Sequence, residues 1–299
     1  MAEFDLQAYL TQHTELVDAA LQTWLPAGDL LPGRLHEAMR YSVFAGGKRL
    51  RPVLMMAAAE AVGGRPEQVQ HAACAMEMLH TYSLIHDDLP AMDNDDYRRG
   101  RLTSHKVYGE AMAILAGDAL LTEAFRLLAD PRANATVPPA TTARVIELVA
   151  RYAGSRGMVG GQVVDMESEG KTIDQPTLEY IHTHKTGALI LASIQVGGLL
   201  AGGDDDDLQA LTRYGEAVGL AFQIADDILD VVGDQAALGK QVGADQARGK
   251  ATYPALIGLD AARQRADELC LLALDSLSRF GIESDPLRQI ARYIVKRTS

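Results

Sequence analysis

The sequence predicts an all-α protein, on three observations. Apolar residues recur at the spacing of one helical face over long segments, strand-like alternation nowhere persists over several runs, and glycines and prolines fall between the periodic stretches. In chain order, helices are expected over residues 6–24, 51–61, 69–85, 111–128, 143–152, 188–200, 208–229 and 253–277. Breaks are read at Gly63-Gly64, Pro131, Pro138-Pro139, Gly160-Gly161, Gly202-Gly203 and Pro286. The segment 69–85 is apolar nearly all round, with Ala72, Ala73, Met76, Met78, Leu79, Leu84 and Ile85, so it belongs at the centre. Asp204 to Asp207 precede the 208–229 segment and read as N-terminal capping carboxylates rather than a metal site.

At 299 residues, 47% hydrophobic and 23% charged, the composition is that of a globular chain. With no repeat at solenoid period and no low-complexity linker, a single domain over 1–299 is expected. A formal net charge of −12 argues against nucleic-acid binding, which needs a basic surface. It leaves room for an anionic ligand held by local cations and bridging metal ions. Cys74 and Cys270 are far apart and lack metal-ligand spacing, so they read as core thiols of a reducing compartment. The N-terminus lacks the basic start and apolar run of a signal peptide. The best candidate for a membrane span, 187–203, is short, glycine-rich and interrupted by Gln195. The expectation is a cytoplasmic protein without a membrane span.

A run of carboxylates follows the central segment: Asp87-Asp88-Leu89-Pro90-Ala91-Met92-Asp93-Asn94-Asp95-Asp96. Charge of this density arriving from a buried helix needs a counter-ion, or else raises its own pKa. An EF-hand fails, because Tyr97 and Arg98 stand where an oxygen ligand and a glycine belong. A second cluster, Asp226-Asp227-Ile228-Leu229-Asp230, closes another apolar run. At about 100° per residue, Asp226 and Asp230 lie one turn apart on a face that Gln223 shares. Three carboxylates at a helix end oppose the macrodipole unless something cationic sits among them. Hard oxygen donors without histidine or thiolate point to Mg²⁺, with Mn²⁺ as the alternative.

Metal ions shared with a diphosphate still leave anionic oxygens to satisfy. The chain supplies Gly46-Gly47-Lys48-Arg49-Leu50-Arg51, Arg98 and Arg99, Lys185-Thr186, then Lys240 and Lys250. Arginine offers phosphate a two-pronged fork, and lysine a point charge. His80 stands seven residues before Asp87, two turns up nearly the same face.

Together these motifs resemble the trans-prenyltransferases of the bacterial farnesyl diphosphate synthase type. The resemblance rests on Gly46-Gly47-Lys48-Arg49-Leu50-Arg51-Pro52, on His80-Thr81-Tyr82-Ser83-Leu84-Ile85-His86 running into the first aspartate cluster, and on Arg98-Arg99-Gly100. It continues through Gly160-Gly161-Gln162, Lys185-Thr186-Gly187, Phe222-Gln223 leading into the second cluster, and Gly239-Lys240 to Lys250. It implies the isoprenoid synthase architecture, a large helical bundle around a central active-site cavity. It implies that Asp87, Asp88 and Asp93 face Asp226, Asp227 and Asp230 across that cavity and hold Mg²⁺, three ions per site, on an allylic diphosphate. Lys185, Thr186 and Gln223 are implied as catalytic residues, and Arg98, Lys240 and Lys250 grip that diphosphate with them. Gly47, Lys48, Arg51, His80 and Arg99 match the metal-free pocket for isopentenyl diphosphate. A homodimer is implied too, with the apolar 111–128 segment as candidate interface.

The implied reaction joins isopentenyl diphosphate head-to-tail to dimethylallyl or geranyl diphosphate through an allylic carbocation. The released diphosphate is the candidate base, since no side-chain base recommends itself. Tyr82 lies five residues before Asp87, roughly 7–8 Å along the axis. With Ser83 beside it, Tyr82 resembles the cavity floor of farnesyl-length members. The angle of about 140° between Tyr82 and Asp87 leaves open whether Tyr82 faces the cavity. A class I terpene cyclase is a rival, disfavoured by the second cluster, by the Lys48, Arg51 and His80 group, and by only 5% aromatic residues. A non-catalytic partner subunit should have lost aspartates, and all six are present. A ten- or twenty-carbon synthase differs only at the cavity floor.

Overall fold

The computed structural model describes residues 4–232 and 250–296, and these are helical almost throughout. Helix α1 (Leu6–Trp24) starts where the Asp5 carboxylate accepts the Ala8 N–H. It is followed by α2 (Gly33–Val43), α3 (Leu50–Ala61) and α4 (Pro66–Asp87). Proline opens α4 at a position whose N–H would have no partner, and the Gln68 side chain caps the Arg65 N–H at 2.7 Å. A two-residue hairpin, β1 (Tyr97–Arg98) with β2 (Arg101–Leu102), then leads into α5 (Ser104–Tyr108) and α6 (Glu110–Leu128). Beyond it run α7 (Pro139–Ala153), α8 (Met158–Ser168) and α9 (Gln175–Ile181). A π-helical segment (His182–Gly187) joins α9 without a break to α10 (Ala188–Leu200). The remaining helices are α11 (Asp205–Val232), α12 (Tyr253–Ile257), α13 (Leu259–Ser276) and α14 (Asp285–Lys296).

As its all-round apolar sequence predicts, α4 is central, packed on α1, α2, α3, α6 and α10. Helix α10 is buried at every residue but Gln195, which donates to Thr212 Oγ1 at 2.7 Å. Two apolar clusters flank these helices, one shared with α1, α2, α6 and α7, the other with α11, α13 and α14. Residues of α3 and α10 belong to both. The best span candidate is thus a core helix, and no helix among the described residues is long and apolar enough to cross a membrane.

The expected helices 6–24 and 188–200 match α1 and α10 at both ends, and most others differ by a few residues. Asp204 and Asp207 exchange hydrogen bonds, each carboxylate accepting the other's backbone N–H, while Arg279 faces Asp204, Asp206 and Asp207. The capping reading of these aspartates is the observed one. Two expectations need correction. The 253–277 stretch is two helices, parted at Gly258 with φ +88°. Gly160-Gly161 is no break but lies inside α8, for a reason given by its neighbour across the site.

Candidate active site

The first acidic cluster is the exit from α4. Asp87 is its last residue and Asp88 its C-cap. The chain then curls, with Asn94 at φ +52°, so that the Asp93 N–H donates to the Asp87 carbonyl at 2.9 Å. That brings Asp93 back beside Asp87. The Arg98 Nε–H donates to Asp88 at 2.6 Å, from a hairpin whose two turn residues, Arg99 (φ +53°) and Gly100 (φ +73°), both have positive φ. This mirror-image turn suits a two-residue hairpin. It gives Arg98 and Arg99 different directions.

Two lysines close the cluster from the other side. Lys185 Nζ, on the π-helical segment, lies 3.9 Å from Asp87 and 2.7 Å from Asp165 of α8. Lys250 Nζ lies 3.8 Å from both Asp93 and Asp165. Gln162, one turn before Asp165, donates to Asp87 at 2.6 Å. Three residues apart on an α-helix, His182 and Lys185 would differ by about 60° in direction. The wider π turn opens that angle, so Lys185 reaches the first cluster while His182 turns to the second. Helix α8 can press so close only because Gly161 has no side chain: a Cβ there would overlap the backbone nitrogen of Lys185.

The second cluster sits in the last two described turns of α11. Gln223 and Asp227 line a cavity of about 120 Å³ together with Asp165, His182, Lys185 and Lys250. Asp227 is buried, its Oδ2 accepting from His182 Nε2 at 3.0 Å and from the Tyr253 N–H at 2.9 Å. Asp226 is near enough to Arg51 to raise its pKa. Thr186 is half-buried next to Lys185.

A separate basic cluster lies where α3, α4 and the hairpin meet. Arg49 is structural: buried at φ +47°, it pairs with Glu77 at 2.7 Å and Asp18 at 2.9 Å and donates to the Val43 carbonyl. Arg51 is different. Its Nε is buried without a hydrogen-bond partner. Burial, with Arg99 nearby, pushes the guanidinium down to about 10 against the pull of Glu77 and Asp226. His80 is pushed well below the usual histidine range by burial, then by Arg51, Arg99, Arg98 and Arg49, so it is neutral at pH 7. Arg99 donates to the Gly46 carbonyl, and a Cβ on Gly47 (φ +130°) would fall 2.6 Å from its guanidinium carbon. Glycine at 47 thus serves both the backbone and the arginine. Lys48 stands exposed on the same loop. Cations gathered this closely raise each other's energy unless an anion joins them.

Tyr82 is buried on α4, edge-on to His86 with ring centres 5.7 Å apart. The Ser83 hydroxyl donates back to the His80 carbonyl at 2.8 Å. Helix α6 covers α4 with one face and leaves Ile114 (44%) and Leu115 (52%) exposed on the other.

The donor set fits a hard divalent ion. Burial raises the pKa of Asp87 against Lys185, with Asp93 adding to the rise, and burial pushes Asp88 up to about 6 against Arg98. These carboxylates are therefore short of positive charge. Among the described residues no three acidic, histidine or cysteine side chains converge on one point. An ion here would share few protein oxygens and complete its shell with water and phosphate, as Mg²⁺ does.

Asp88 also carries a stability prediction. Its folded pKa of about 6 lies above the value of 3.8 for a free side chain, so between those values the folded protein binds the proton more tightly. Stability falls as pH rises through that window. Metal-free Asp88→Asn is expected to melt above its parent at pH 7.5, with the gap closing toward pH 4, by circular dichroism. An equal or lower melting point at pH 7.5 would mean that the Arg98 pair outweighs desolvation.

Of the residues singled out in the sequence, the described site gathers Asp87, Asp88, Asp93, Arg98, Lys185, Gln223, Asp227 and Lys250. Arg51, His80 and Arg99 form the neighbouring cluster. Lys240 lies outside the described residues. The sequence alone assigns no role to Asp165, His182 or Gln162. Their signal is i,i+3 spacing on α8 and next to Lys185, hidden while Gly160-Gly161 reads as a break.

A model of the polyprenyl synthetase family matches residues 32–276. The chain is similar to a dimethylallyltranstransferase of Fischerella ambigua, 50% identical over 298 residues, which are 99% of this chain and 85% of that protein. It is 49% identical over 259 residues to a farnesyl diphosphate synthase of Geobacillus stearothermophilus, covering 87% of this chain and 86% of that one. The crystal structure of a geranylgeranyl pyrophosphate synthetase from Pyrococcus horikoshii superposes with a TM-score of 0.88 at 33% identity, over 97% of this chain and 98% of the other.

Proposed function

This chain belongs to the polyprenyl synthetase family and is a prenyltransferase of the trans-isoprenyl diphosphate synthase type, and on that footing we propose that it condenses isopentenyl diphosphate with dimethylallyl and then geranyl diphosphate to give farnesyl diphosphate. The observation that carries this reading is the pairing of an aspartate-lined site with a separate arginine cluster, in which the Arg51 Nε is buried without a partner. Two anions held side by side suit a coupling of two diphosphates, where a cyclase needs only one.

In this reading Asp87, Asp88 and Asp93, together with Asp226 and Asp230, would hold Mg²⁺ on the allylic diphosphate. When bound, the ions neutralise charge on the leaving diphosphate. Lys185, Lys250 and Arg98 move from carboxylate partners to phosphate oxygens, stabilising the negative charge that grows as the carbon–oxygen bond breaks. Arg51, Arg99 and Lys48 anchor isopentenyl diphosphate, with neutral His80 as a hydrogen-bonding partner. The double bond then attacks the allylic cation, and the departed diphosphate takes the proton. Thr186 and Gln223 face the cation with oxygen dipoles. The apolar helices exclude water, which would otherwise quench it. One domain, a homodimer through the exposed face of α6, and a cytoplasmic location complete the proposal.

Names among the relatives divide between fifteen- and twenty-carbon products. The buried Tyr82 ring supports the shorter one. Tyr82→Ala is expected to shift the main product from fifteen to twenty carbons or more, read by mass spectrometry after dephosphorylation. An unchanged distribution would remove Tyr82 from the floor. The same assay tests the function: with Mg²⁺, isopentenyl and geranyl diphosphates should give one linear fifteen-carbon alcohol, lost on adding EDTA. No coupled product with metal present would sink the proposal.

A further inference from the structure

We propose that His182 and Asp227 form a positioning latch that carries Lys250 into the site. Asp227 then acts through the backbone of Tyr253, and the second cluster presents Asp226 and Asp230 to the ions. The consequence for turnover rests on the prenyltransferase reading; the latch itself rests on contacts within the chain.

One oxygen of Asp227 takes two donors, His182 Nε2 at 3.0 Å and the Tyr253 N–H at 2.9 Å. A carboxylate accepts, so Nε2 carries the histidine proton; Nδ1 is buried without a partner. The second bond has a clear origin. Tyr253 opens α12, and the first backbone donors of a helix have no partner within it. Its N-cap residue, Thr252, makes no side-chain cap. A carboxylate from α11 supplies what the local sequence lacks.

Tyr253 is held at two further points. Its ring stacks on His182 at 5.8 Å, and its hydroxyl donates to Glu179 of α9. These three contacts come from α9, the π-helical segment and α11. Three residues before it, Lys250 meets Asp93 and Asp165. Three residues span at most about 11 Å, so the place of Tyr253 limits where Lys250 can go.

The helix geometry agrees. Asp226 and Asp230 share one face, whereas Asp227 is turned by about 100° toward the π-helical segment. Asp226 meanwhile acts on Arg51 in the basic cluster. One acidic cluster thus performs two jobs, on two faces.

The test has three readouts on the full chain. Hydrogen–deuterium exchange of the metal-free protein reports the Tyr253 amide. Electron paramagnetic resonance of Mn²⁺ with inorganic diphosphate reports ion binding, and steady-state kinetics report KM for geranyl diphosphate. Asp227→Ala and His182→Leu are expected to speed exchange at Tyr253 about tenfold or more, since the first removes the acceptor of its N–H and the second removes the contact that holds that acceptor in place. Both should raise KM more than they lower kcat and leave Mn²⁺ affinity unchanged. His182→Gln, whose amide N–H can donate to Asp227, should restore protection, and it carries the test with His182→Leu if Asp227→Ala does not fold. Asp226→Asn should do the reverse, weakening Mn²⁺ and sparing the Tyr253 amide. The latch is overturned if His182→Leu leaves Tyr253 protected, or if loss of the Asp227 carboxylate weakens Mn²⁺ as Asp226→Asn does. Exchange and resonance do not read coupling, so they decide the latch even if no prenyl product forms.

Discussion

Asp87→Asn is expected to slow coupling of isopentenyl and geranyl diphosphates about 10³-fold, the upper range for removing one preorganised electrostatic group. The same change should leave the melting temperature of the metal-free protein at or above that of its parent. Both follow from one environment. Burial raises the Asp87 pKa even with Lys185 3.9 Å away and Gln162 donating to it, so the ionised carboxylate destabilises the metal-free protein. Asparagine keeps the size and a carbonyl acceptor for Gln162 but loses the charge that an ion needs. Steady-state kinetics at saturating Mg²⁺, beside a melt in its absence, check the pair. A loss below tenfold would move the ion-binding role away from the end of α4.

Gly161→Ala is expected to lower kcat about 10²-fold while shifting stability far less. A methyl group at 161 would overlap the Lys185 nitrogen and lie 2.8 Å from the Lys185 Cα and the His184 carbonyl carbon. These are backbone atoms with no rotamer to turn away, so α8 and the π-helical segment must part by about 1 Å, a displacement that can cost 10²-fold at a reacting centre. Alanine regains about 1 kcal/mol of helix propensity within α8, which offsets part of the packing loss. Urea titration and kinetics on one preparation separate the two effects. Activity within threefold of the parent would show that the placement of Lys185 does not limit turnover.

The central helix and the two carboxylate clusters were legible in the sequence because their signals are local. An all-round apolar run declares α4, and aspartates crowded at a helix end need no partner to be conspicuous. The short elements were less visible. Helix α2 holds Arg34, His36, Glu37 and Arg40 among its apolar residues, and α9 has only seven residues, too few for a period. Helix α8 was concealed by its own glycines, which normally end helices and here permit a close approach. Long-range partnership was least legible. Nothing near Asp165 announces that two lysines, 20 and 85 positions away, will meet on it. The sequence also placed Gln223, Asp226 and Asp230 on one face, but it could not show that Asp227 would face a histidine and a helix start.

The π-helical segment bears on how this site can change. A π turn holds one residue more than the α turn it replaces, so the rod from α9 to α10 carries a surplus residue between positions 182 and 187. Point substitutions act on the side chains there but leave the surplus in place. Deleting a codon just after Lys185 would remove it and give a more regular rod, in which His182 and Lys185 point only about 60° apart. His182 and Lys185 would then be unable to serve opposite clusters at once. At this place the length of the gene is constrained as well as the identity of His182 and Lys185.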